Sequence, residues 1–146
     1  MPDSSLTAAE VVELLDLAPH PEGGFYRETW RDQPADPSAR GHGTAIYFLL
    51  PGGVENRWHR VDAVEIWHHY AGAALELRIG RQEPVADQTI LLGPDLASAQ
   101  RPQGIVPADA WQSARSLGDW TLVGCTVCPA FRFEGFQMLG DPADAG

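Results

Sequence analysis

Asn56-Arg57-Trp58-His59-Arg60-Val61-Asp62-Ala63-Val64-Glu65-Ile66-Trp67-His68-His69-Tyr70-Ala71-Gly72 is the stretch on which the fold turns. It reads as parts of two strands, Glu55 to Arg60 and Val64 to Tyr70. Side chains alternate across a strand, so an inward His59 brings Arg57 with it. On the next strand Glu65, Trp67 and His69 share one face, and Ile66, His68 and Tyr70 share the other. A buried carboxylate is costly unless it is paired or bound to a cation. Polar groups gathered on the concave side of a barrel are what a ligand site requires. The opposite assignment, with Ile66 and Tyr70 in the core and Glu65 and His69 in solvent, fits the same period.

Outward from that stretch, short β-rich runs recur: Phe25 to Trp30, Thr44 to Leu50, Ala74 to Ile79, Gln88 to Leu92, Gly104 to Val106, Trp111 to Ala114 and Trp120 to Val127. The 15 glycines and 12 prolines supply the turns between them. One helix is expected, Leu6 to Leu17, with Thr7 and Glu10 as a capping box and Pro19 and Pro21 as its stop. It is expected either to pack on the barrel or to serve as a lid. All 146 residues are expected to form one domain, with a core from about 7 to 138 and a frayed tail over 140–146. Many short strands in one domain suggest a sandwich, jelly roll or barrel.

The formal net charge of −10 speaks against nucleic acid and anionic lipid as partners. No apolar run approaches membrane-helix length, and the N-terminus carries no secretory pattern, so a cytoplasmic protein is expected. Cys125 and Cys128 share one strand-like segment, and no second pair is present to complete a zinc site, so both are expected to be reduced and structural. A further cluster, Ile105 to Ala114, reads as strand, tight turn, strand. It places Trp111 and Gln112 on opposite faces, and either can be the inward one.

The sequence resembles the cupin superfamily, and within it a small family of unknown function (DUF985) predicted to be sugar epimerases. The matching pieces are His20-Pro21-Glu22-Gly23-Gly24-Phe25-Tyr26-Arg27-Glu28-Thr29, Ala45 to Leu50, Trp58-His59-Arg60-Val61, Glu65 to His68, Gly72, Val106-Pro107-Ala108 with Trp111-Gln112, and Val127 to Phe136. The resemblance implies an all-β fold, a double-stranded β-helix or jelly-roll barrel with one N-terminal helix. Cupins of this size commonly form homodimers, and Trp58, Ile66, His68 and Tyr70 make an apolar, aromatic face suited to that.

The general cupin pattern has metal-binding histidines and a glutamate. Glu65-x6-Gly72 fits it, and His59 resembles the second histidine of the first motif, with a gap to Glu65 one residue longer than usual. Arg57 stands where the first histidine would be, and Gln112 replaces the histidine of the second motif. His69, on the same strand face as Glu65, offers a second imidazole. The candidate metal set is therefore His59, Glu65, His69 and Gln112, holding a weakly bound divalent transition metal. In the alternative, Arg57 takes the missing ligand's place and pairs with Glu65.

What the resemblance implies for function is a small-molecule pocket for a sugar-like ligand, with epimerase or isomerase chemistry. His59 or His69 would be the general base, Glu65 its partner, and Arg57, Trp67, Trp111 and Gln112 the ligand-binding groups. Two alternatives stand beside it: a non-catalytic ligand-binding sensor, and a metal-dependent oxygenase or lyase.

Overall fold

Thr7 opens the one α-helix of the described residues, which are 6–140 of the computed structural model. Its hydroxyl accepts from Glu10 N–H at 3.1 Å, and Glu10 Oε1 accepts from Thr7 N–H at 2.9 Å, closing the capping box. The helix, α1 (Ala8–Leu15), ends where Asp16 turns left-handed (φ 57°), before either proline. It is not positioned as a lid. Val11 and Leu17 pack with Leu49 and Trp120, and Trp120 Nε1 donates to Leu6 O at 2.8 Å.

Eleven strands follow among the described residues: β1 (Ala18–Pro19), β2 (Phe25–Arg31), β3 (Thr44–Pro51), β4 (Glu55–Val61), β5 (Val64–Gly72), β6 (Leu75–Gly80), β7 (Gln88–Leu92), β8 (Gln103–Val106), β9 (Trp111–Ser116), β10 (Trp120–Cys128) and β11 (Phe136–Met138). Nine match the sequence expectation within a residue or two; β1 and β11 are too short for a periodicity to reveal. They form two antiparallel sheets, β1-β2-β3-β10-β5-β8 and β11-β4-β9-β6-β7, the jelly roll expected. Phe48, Leu50, Trp67, Leu75, Leu77, Ile79, Leu92 and Val123 fill the space between the sheets. The tail from residue 141 on lies outside the described residues. No helix among them is long and apolar enough to cross a membrane.

Two β-bulges decide which side chains enter the barrel. On β4, Asn56 pairs with Ala114 and His59 with Gln112, so three steps on one strand match two on the other. Arg57 and Trp58 together oppose one residue, and the alternation slips by one. Asn56 and His59 are therefore both buried, while Arg57 is exposed. On β5 a second slip occurs at Tyr70, between the pairs Val123 with His69 and Leu122 with Ala71.

Candidate functional site

A cavity of about 510 Å³ opens at one end of the barrel, its wall including His20, Glu22, His59, Glu65 and Cys125. His59 (β4) and Glu65 (β5) reach it as expected. His20 and Glu22 come from the segment between β1 and β2, and sequence reasoning missed them as site residues. The turn that carries them is tight: Gly23 N–H donates to His20 O at 3.0 Å, and His20 N–H to Gly24 O at 2.9 Å. Gly23 and Gly24 both have positive φ (99° and 90°), a conformation in which glycine meets no steric cost. Arg57 N–H then donates to Glu22 O at 2.7 Å and fastens the turn to β4.

The hydrogen bonds fix where protons lie. His59 Nδ1 is 2.7 Å from Arg57 O, and a carbonyl only accepts, so Nδ1 carries a proton. His59 Nε2 lies 3.1 Å from Glu22 Oε2. The distance allows one proton to be shared between these two atoms, as imidazole with carboxylic acid or as imidazolium with carboxylate. Burial pushes the Glu22 carboxyl up to about 8 and lowers His59, so the neutral arrangement is favoured. Asn56 lies beside Glu22 and slightly favours its charged form, though neither of its buried amide atoms makes a hydrogen bond of good geometry. Glu22 N–H donates to His20 Nδ1 at 3.1 Å, which leaves His20 neutral. Burial, with His59 nearby, lowers His20 to about 4.

A second chain of polar atoms orients Glu65. Trp67 Nε1–H can only donate, so Gln112 Oε1 faces it at 2.8 Å. Gln112 Nε2 is thereby turned to Glu65 Oε1, also at 2.8 Å. Burial raises Glu65 to about 7; His59 opposes that rise and Glu22 adds to it. Burial above all, then the carboxyls of Glu65 and Glu22, hold the Cys125 thiol protonated.

Several expected site residues lie elsewhere. His69 is not at this cavity. Four residues along an extended strand span about 13 Å, so Glu65 and His69 cannot reach one small ion together. His69 lines a separate hollow with Pro94, Pro102 and Trp120, and its Nε2 lies 3.0 Å from Ala73 O. The β4 bulge turns Arg57 outward, where its Nη2 donates to Leu139 O at 2.8 Å; it does not pair with Glu65. Trp67 is core, edge-on to Phe48 with ring centroids 5.9 Å apart. Trp111 lies on the outer face under Arg60, whose Cζ is 4.7 Å from its ring centroid.

The expected metal set does not assemble. Gln112 presents its amide hydrogens to Glu65, so it offers no oxygen lone pair there. His59 has both ring nitrogens engaged. Among the described residues no group of three or more His, Cys, Asp or Glu side chains is arranged to hold a metal ion. The donor set thus does not fit the three-histidine, one-glutamate centre of the general pattern.

Residues 9–139 match the family described as Cupin superfamily (DUF985). This chain belongs to the cupin superfamily. Among solved structures, a protein from Shewanella oneidensis is similar to it at 36% identity, covering 94% of this chain and 87% of that one, with a TM-score of 0.84. A hypothetical protein from Leishmania major is 27% identical, covering 90% and 86%, with a TM-score of 0.80. A cupin 2 conserved barrel protein from Rhodopseudomonas palustris, at 16% identity, 76% and 64% coverage and a TM-score of 0.53, shares the fold alone. No functionally curated protein matches this cupin.

Proposed function

We propose that this cupin binds a small polar molecule in the 510 Å³ cavity and moves a proton at a carbon next to a carbonyl, as an epimerase or isomerase does. The observation that carries the reading is the buried approach of Glu22 Oε2 to His59 Nε2, 3.1 Å, on the same wall as Glu65. General acid–base catalysis works best with groups that titrate near the operating pH, and Glu65 is raised to about 7.

The step balances within these groups. Glu22 takes the substrate proton on its second oxygen while its Oε2 proton passes to His59 Nε2. The C–H electron pair forms a C=C bond and the carbonyl π pair moves to oxygen. Glu65 gives its proton to that oxygen, so an enol forms beside a carboxylate and an imidazolium. Delivery of a proton to the opposite face of the carbon, with the enol O–H proton returning to Glu65, gives epimerisation; where that carbon bears a hydroxyl, delivery to the former carbonyl carbon, with the hydroxyl proton passing to Glu65, gives isomerisation.

Incubation in D₂O with a panel of neutral, phosphorylated and amino sugars, followed by proton NMR, tests this. Loss of one C–H signal with the unaltered protein, and not with Glu22→Gln or His59→Asn, is the expected result. Exchange no faster than with Glu22→Gln for every compound would leave a non-catalytic ligand-binding cupin.

A further inference from the structure

We infer that the ligand of this cavity carries an ammonium group, recognised by an aromatic corner formed by Phe131, Phe133 and Phe136 in the same cavity as the two buried carboxyls of Glu22 and Glu65. The inference rests on the cavity being the binding site and names the chemistry of what enters it.

All three phenylalanines line the cavity. Their ring planes meet at 84° (Phe131 with Phe133), 65° (Phe131 with Phe136) and 74° (Phe133 with Phe136), with centroids 5.0, 5.8 and 6.0 Å apart. Three planes near mutual right angles make the corner of a box. A pyranose stacks on one flat face, whereas a corner suits a compact, rounded group. Aromatic faces carry negative potential and attract cations, quaternary ammonium groups above all. The Phe136 ring also lies against His59, 5.7 Å between centroids, so the corner adjoins the Glu22–His59 pair.

The charges of the wall point the same way. Glu22 and Glu65 are 6% and 7% exposed, and neither is paired with lysine or arginine. Burial holds both toward the neutral form, and a cationic ligand beside them favours their ionisation and is attracted by it. At the exposed edge stand Asp16 and also Glu28, whose charge is offset by Arg31. Arg31 is already committed, to Glu28 at 2.8 Å and to Phe131 O at 2.9 Å. Arg27 lies over the Tyr47 ring, 5.9 Å from its centroid, while its neighbour Tyr26 packs toward the barrel core. A phosphate would therefore meet Arg27 at the exposed edge, and on the rest of the wall carboxyls, a protonated Cys125 and two imidazoles whose charging is opposed by burial. The overall charge of −10 draws cations to the surface as well.

Isothermal titration of the full chain with tetramethylammonium, choline, its neutral isostere 3,3-dimethyl-1-butanol and glucose 1-phosphate tests the inference. Choline is expected to bind about tenfold or more tighter than the isostere, and Phe133→Leu to weaken it about fivefold. Phe133 is an exposed residue, so that variant keeps the fold; circular dichroism checks it. Equal affinities for choline and its isostere, tighter binding of glucose 1-phosphate, or no heat with either ammonium probe at millimolar concentration overturns the inference. Titration reads binding and D₂O exchange reads turnover, so each can fail without the other.

Discussion

Glu22 and His59 meet side chain to side chain at 3.1 Å because their backbones are tied as well: Glu22 O accepts from the N–H of Arg57, two residues before His59, at 2.7 Å. The acid is thus delivered to the imidazole by a turn whose shape depends on glycine. At Gly24 (φ 90°) a Cβ would stand 2.7 Å from Leu49 O and 2.9 Å from Phe48 Cζ. Gly24→Ala should destabilise the fold by about 2 kcal/mol or more and displace Glu22, from backbone strain and overlap together. Gly53 also has positive φ (81°) but open space around its Cβ position. Gly53→Ala should cost only about 1 kcal/mol. Urea denaturation of both variants checks the difference.

The Glu22 carboxyl predicts how stability depends on pH. Its value rises from the ordinary 4.5 to about 8 on folding, so its contribution is complete below 4.5 and is lost as pH rises through about 8. His20 acts in the opposite sense: lowered from 6.5 to about 4, it contributes fully above 6.5 and loses that as pH falls through about 4. Thermal melting between neutral and mildly alkaline pH should therefore show a falling midpoint, and Glu22→Gln should flatten the slope. An equal slope in that variant would show that Glu22 is ionised well below neutrality.

Gln112 serves two buried partners at once, Trp67 Nε1 and Glu65 Oε1. Gln112→Leu should leave both unsatisfied and cost about 2–5 kcal/mol. Adding Trp67→Phe removes one orphan, and by double-mutant logic its own penalty should be smaller in the Gln112→Leu background. Chemical denaturation of the four proteins measures the coupling.

His69→Ala should leave exchange at the cavity and choline binding unchanged, because His69 lines a different hollow. Asn56→His is the informative counterpart. Asn56 is the buried β4 residue that enters the barrel together with His59. An imidazole there would add the nitrogen donor that Arg57 cannot supply. Ni²⁺ titration should show binding for Asn56→His that is absent or far weaker for Arg57→His.

The homodimer expected from the sequence is open to a direct measurement. Ile105 pairs with Ile66 on β8 and β5, and Ile105 and Tyr70 are 57% and 55% exposed. Light scattering is expected to give twice the chain mass, and the pair Tyr70→Glu with Ile105→Glu to give a monomer.

The strand pattern is legible in the sequence because turn residues and β-branched runs bracket nearly every strand. The inward placement of His59 and Glu65 is legible from motif spacing. Arg57 and His69 escape the pattern for separate reasons. Period-two reasoning assumes an unbroken ladder, and an extra residue at Arg57–Trp58 breaks it. A shared strand face is also not proximity, since a strand separates positions four apart by more than twice the distance a helix does. Glu22 and His20 lie in a turn, where no periodicity acts. The signal there is an acid and an imidazole wrapped around two glycines, residue types that a merely solvent-exposed turn does not need. Phe131 and Phe133 lie between β10 and β11 and Phe136 opens the three-residue β11, so no periodicity links them, and only the folded chain brings their rings to one corner.

The bulge in β4 has an evolutionary side. In a jelly roll the chemistry of the barrel mouth is usually thought to change by replacing one ligand with another. Here one additional residue sits in a strand whose ends stay in register with their neighbours: Asn56 opposite Ala114 and His59 opposite Gln112 keep facing the interior, and the extra residue is taken up on the outer face. A change of length in this strand can therefore pass without altering what the barrel mouth offers. Counting positions back from His59 then misplaces the inward residue by one, taking Arg57 for Asn56.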